Sequence, residues 1–157
     1  VGGKMRVIYV QEQVYSHEPS IFLAGPTPRS SNVKSWRIEA LSILKYIGFD
    51  GSVFVPESDG GVFPSVKYTD QIDWEQNAIY DCTLPVFWIP RSNDLPGFTT
   101  NVEFGMMIHR NETILYGRPN NTPHTRYLDY IYNQCGFVDP IYTDLISLLL
   151  RAKETLD

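Results

Sequence analysis

The strongest constraint on this chain is an alternation: short apolar runs take turns with longer stretches whose apolar residues recur at helical spacing. That pattern is the signature of a sheet covered by helices. Leu84 to Ile89 (LPVFWI) is apolar at every position, as a strand covered on both faces must be. Pro85 is tolerable near its start. Ser20 to Ala24 (SIFLA), Ser52 to Val55 and Thr113 to Tyr116 read as further strands, and Arg6 to Val10 as a short one of uncertain place.

Between them, a helix fits Asn32 to Ile47, where Trp36, Ala40, Ile43, Leu44 and Ile47 form one stripe and Gly48 supplies a stop. A second runs from a cap at Thr69 or Asp70 to about Asp81, and a third from about Thr100 to His109. Two more are expected near Thr125 to Gln134 and Ile141 to Glu154. The last shows an apolar face at Ile141, Leu145, Leu148, Leu149 and Ala152. The long Gly-rich loop from Glu57 to Tyr68 is of a length that tends to be functional.

The expected architecture is a single doubly wound α/β domain, with about five mostly parallel strands and helices on both faces. A chain of 157 residues suits one domain, and 43% hydrophobic residues suffice for a core. Doubly wound sheets bind ligands beyond the carboxyl ends of their strands. That rule selects the loops after Ala24, Val55, Ile89 and Tyr116.

A net charge of -5 argues against a nucleic-acid polymer as partner, though one phosphate needs only one or two local donors. No apolar run approaches the roughly 20 residues that span a bilayer, and no secretory signal is expected from the opening residues. Val1 to Lys4, ahead of Met5, are expected to be an expression remnant. Cys82 and Cys135 read as free thiols, and His17, His109 and His124 lack metal-ligand spacing. The expectation is a cytoplasmic protein without metal or cofactor.

Three segments could carry chemistry. In Gly25-Pro26-Thr27-Pro28-Arg29-Ser30-Ser31, backbone amides, hydroxyls and Arg29 could surround an anion at a helix N-terminus. A proline-stiffened turn explains it equally well. Asp70, Asp73 and Glu75 crowd a helix start, where the dipole favours acidic residues. Glu75, beside Trp74, is the hardest to dismiss as dipole decoration. The third is Pro96-Gly97-Phe98-Thr99-Thr100-Asn101-Val102-Glu103-Phe104-Gly105. A Glu103 in the first helical turn would be kept ionised by the dipole, ready to act as a nucleophile. A capping box of Thr100 and Glu103 fits the same spacing.

Taken together, IFLAGPTPR (21–29), SWRIEAL (35–41), VFVPE (53–57), DWEQNAIYDC (73–82), VFWIPR (86–91) and PGFTTNVEFG (96–105) resemble the nucleoside 2-deoxyribosyltransferase family, in particular its compact 2-deoxyribosyltransferase-like branch. The resemblance implies a flavodoxin-like sheet, a nucleophile at Glu103, and an acid at Glu75 or, second, Asp73 that assists the leaving base. It implies a nucleoside or nucleotide as small-molecule partner, and a homodimer or higher homo-oligomer. The family's acidic residue before the glutamate is missing, since Gly97 and Phe98 occupy that stretch; Asp94 and Asn101 are the available substitutes. Relatives that hydrolyse nucleoside monophosphates hold phosphate with hydroxyls and arginine in the first loop, a role that suits Arg29, Ser30 and Ser31.

The chemistry expected is cleavage or transfer of an N-glycosidic bond through a glycosyl-enzyme intermediate, in the manner of retaining glycosidases. Phe22, Trp74, Trp88 and Phe98 could stack on the base or serve as core, and Thr99 lies beside the nucleophile's helix. The alternatives are a nucleoside 5′-monophosphate N-glycosidase and a non-catalytic nucleotide-binding module.

Overall fold

The structure, a computed structural model, describes residues 4–13, 19–59, 67–110 and 113–157. Residues 60–66 of the long loop and Val1 to Gly3 lie outside them. Five strands, β1 (Arg6–Tyr9), β2 (Ser20–Ala24), β3 (Ser52–Val55), β4 (Leu84–Trp88) and β5 (Leu115–Gly117), form one sheet in the order β1-β3-β2-β4-β5. Every pairing is parallel. Five helices complete the fold: α1 (Trp36–Tyr46), α2 (Tyr68–Asp81), α3 (Phe98–Met107), α4 (Arg126–Gln134) and α5 (Leu145–Leu156). The doubly wound architecture expected from the alternation is the one observed. From β3 to β5 the order matches the first four strands of the flavodoxin arrangement. β1, whose place the sequence left open, is added as an edge beside β3.

The handedness of the crossovers decides which face each helix covers. The chain moves one way from β2 through α1 to β3, then reverses across β2 to β4 and β5. A right-handed crossover in the reversed direction lands on the opposite face. Accordingly α1 and α5 pack on one side, burying Trp36, Ala40, Leu44, Leu148 and Leu149 against Ile21, Leu23, Val53 and Val86. On the other side, α2, α3 and α4 bury Trp74, Ala78, Phe104 and Tyr132 against Phe22, Phe54 and Phe87. Successive strand residues thus serve two cores, and all of β2, β3 and β4 is buried. The two thiols are free, Cys82 buried and Cys135 half-buried. No helix among the described residues is long and apolar enough to cross a membrane.

The reversal leaves a crevice where β2 and β4 diverge, with the loops after both strands as its lips. The functional elements gather there.

Candidate functional site

One buried arginine organises the first lip. Arg37, in the first turn of α1, has a side chain only 2% exposed. Its Nε donates to the Leu23 carbonyl at 2.9 Å and its Nη2 to the Gly25 carbonyl at 2.7 Å. Its Nη1 reaches Thr27 Oγ1 at 2.9 Å and Glu57 Oε2 at 2.6 Å. Ser35, the N-cap of α1, accepts from the Arg37 amide and donates from its Oγ to the same Glu57 oxygen at 2.6 Å. A buried charge must be paired and fully hydrogen-bonded to be tolerated, and this one is. The cluster pins the loop after β2 to the loop after β3. Gly25 is forced by the same packing: a Cβ there would stand 2.1 Å from the Trp88 carbonyl oxygen and 2.6 Å from the Trp36 ring.

Beyond this clamp opens a pocket of about 810 Å³. Thr27 to Ser35 line one wall, Glu57 and Ser58 the floor at β3, Tyr68, Gln71 and Glu75 the α2 wall, and Phe98 to Thr100 with Glu103 the α3 wall. Among the described residues Glu75 takes one side-chain hydrogen bond, from Gln71 Nε2 at 3.4 Å. Glu103 retains some exposure through the pocket mouth, but protein atoms crowd its carboxyl. Burial first, and the neighbouring Glu75 second, push Glu103 up to about 8, against a smaller opposing pull from Arg37. Burial also raises Glu75. Two carboxyls in one half-dry pocket do not both ionise freely, and near neutrality Glu103 keeps its proton.

This corrects two expectations. The helix begins at Phe98, with Gly97 as N-cap in the left-handed region (φ 67°) and no side-chain cap. Thr100 and Glu103 therefore form no capping box, and Glu103 stands in the second turn rather than the first. The dipole falls off within the first turn. Desolvation wins, and the carboxyl is raised rather than held ionised.

The expected site residues divide. Glu75, Glu103, Gly25, Arg29, Ser30, Ser31 and Thr99 share the pocket lining. Pro26 is buried behind it, its carbonyl accepting from Trp36 Nε1 at 3.0 Å. Asp73 points away from the core side of α2 and is exposed, because Trp74 and Ala78 take the buried stripe. Trp88 belongs to the core beneath Gly25 and Gly117, as do Phe22 and Trp74 to the opposite core. Phe98 alone of the four aromatics stands exposed on the pocket wall. Asp94 is exposed on the loop after β4 and lines no described pocket, and Asn101 accepts from Arg91 in a neighbouring pocket.

Sequence reasoning missed Arg37, Glu57, Lys34 and Gln71, all on the pocket wall. Arg37 left a signal: it falls three residues before Ala40 and seven before Leu44, on the buried stripe of its helix. A charged residue on an apolar stripe asks for a buried partner. Glu57 gave no comparable sign, since only the fold brings it beside α1.

No curated protein matches the chain. A family model described as nucleoside 2-deoxyribosyltransferase like matches residues 18–120, from β2 past β5, which includes both lips of the crevice and Glu75 and Glu103. That match covers well over half of the 157 residues, and the chain belongs to this nucleoside 2-deoxyribosyltransferase-like family.

Proposed function

We propose that the protein cleaves or transfers the N-glycosidic bond of a nucleoside or nucleoside 5′-monophosphate, with Glu103 as nucleophile and Glu75 as the acid that assists the base. One observation carries the reading: two desolvated carboxyls face the same pocket, burial raises the proton affinity of both, and the charge of Glu75 raises that of Glu103 further. Membership of the family supports glycosyl transfer on a nucleoside as the reaction class.

Glu103 attacks C1′ as a carboxylate, forming an ester bond while the C1′–N bond breaks and its electron pair passes to the base. The proton held by the pair goes with the base through Glu75. The positive charge developing at the sugar favours ionised Glu103, and Arg37 adds to that pull. A second base or a water then attacks C1′, returns its proton to Glu75 and frees Glu103. The first acceptor makes a transferase, the second a hydrolase.

Arg29, Ser30, Ser31 and Lys34 on the wall opposite the carboxyls favour a phosphorylated substrate, since they offer cationic and hydroxyl donors to one anion. A panel of ribo- and deoxyribonucleosides with their 5′-monophosphates, each with and without a second base, tests the proposal by chromatography of products. Base release or exchange, faster for monophosphates, is expected. Folded protein inert toward the whole panel would leave a binding module in its place.

A further inference from the structure

A second pocket, of about 520 Å³, adjoins the first across the exposed ring of Phe98, which lines both. Its base is Arg91, just beyond the end of β4 and only 7% exposed. Nη1 donates to the His124 carbonyl and Nη2 to Asn101 Oδ1. Nε–H has no acceptor, the single buried side-chain polar atom so placed among the described residues. The contrast with Arg37 is direct, because there every guanidinium nitrogen is bonded. Buried donors in folded proteins are nearly always satisfied, and an orphan calls for an explanation.

The surroundings supply one. Ser92, Asn93 and Asn101 line the pocket with Arg91, and no carboxylate does, whereas the larger pocket holds three. Burial lowers the proton affinity of Arg91, so its charge is held at a cost that a nearby anion offsets. His124, which also lines the pocket, sits at φ 57°, in the left-handed region. Backbone held there by its surroundings is frequent at ligand sites.

We infer that this pocket binds an oxyanion, phosphoryl or carboxylate, on Arg91, with Phe98 covering the ligand's apolar or aromatic body. Nε–H is the guanidinium donor that the His124 and Asn101 anchors leave uncommitted, and an oxyanion would satisfy it. The site stands apart from the glycosidic reading, and either can fail without the other.

The test follows the Arg91 Nε–H resonance by two-dimensional NMR while inorganic phosphate, or benzoate, is titrated into the whole protein. A saturable downfield shift with either probe is expected; the one that binds more tightly tells a phosphoryl from a carboxylate ligand. Because removing Arg91 would also release its two anchors, the variant of choice is Ser92→Asp, an exposed position that puts a carboxylate on the pocket wall. It should weaken binding about tenfold or more, and Glu103→Gln should leave it unchanged. No saturable shift in the millimolar range, or one that Ser92→Asp leaves intact, overturns the inference. So does binding that tightens in Glu103→Gln, which would put the anion in the larger pocket beside that carboxyl.

Discussion

The main pocket has two walls that treat the same chemical group in opposite ways. On the β2–β3 side Glu57 meets Arg37 at 2.6 Å and takes a second bond from Ser35, so its charge is cancelled where it stands. On the α2–α3 side Glu75 and Glu103 have no cationic partner in contact among the described residues; burial raises both, and Glu75 raises Glu103 further. The first arrangement fixes a loop. The second leaves a carboxyl that keeps its proton up to about 8 in a shaped crevice, an unfavourable arrangement for a merely structural pair. A charge neutralised by a clamp is architecture, and a charge left unpaired in a shaped pocket is available for chemistry.

Substitutions on the two walls should therefore fail in different ways. The largest effect is expected from Glu103→Gln, which keeps shape but removes the nucleophile: turnover should fall by about 10³-fold or more, some 4 kcal/mol, in protein that still folds. The same variant should gain stability at alkaline pH. The sign follows from the raised carboxyl: between about 4.5 and about 8 the folded state binds more protons than the unfolded chain. Stability of the wild type thus falls as pH rises through that window, and Glu103→Gln should flatten the fall. Denaturant melts of both proteins at pH 4 and pH 8.5 check this. If the two proteins lose stability in parallel, Glu103 is not the raised group.

Arg37→Met comes next and should reverse the pattern. It strands Glu57 and three other acceptors, and about 3–5 kcal/mol of stability should go with it. Equilibrium unfolding in urea measures the loss. A change under 1 kcal/mol would erase the distinction between the walls.

The smallest effect is the most diagnostic. Glu75→Gln removes the like charge that raises Glu103, so the rising limb of residual kcat/KM against pH should move to lower pH. A limb that stays in place would mean that burial alone governs Glu103. The acid role proposed for Glu75 would then rest only on its place in the pocket.

Much of the fold is legible in the residues. The full burial of Leu84–Trp88 follows from an apolar residue at each step, and Ser20–Ala24 and Ser52–Val55 come out at their expected bounds. The errors cluster at helix starts. Thr100 with Glu103 reads as a cap, yet α3 opens three residues after Leu95 at Gly97–Phe98, because Gly97 takes a left-handed turn under Pro26. A Cβ on Gly97 would come within 2.9 Å of Pro26 Cγ, a contact between loops 71 residues apart in the chain. No local pattern reports it.

The site divides the same way. Which segments meet was set by the sequence, since the order of strands and crossovers sends the loops after β2 and β4 to one crevice. What each carboxylate became there was not. Glu57, Glu75 and Glu103 are the same side chain, and protonation depends on how much water and which charges surround it. Those surroundings are assembled from α1, α2, α3 and β3 at once. Periodicity is a local property and survives in the chain; desolvation and pairing are properties of the packed interior, and only the tertiary structure decided them.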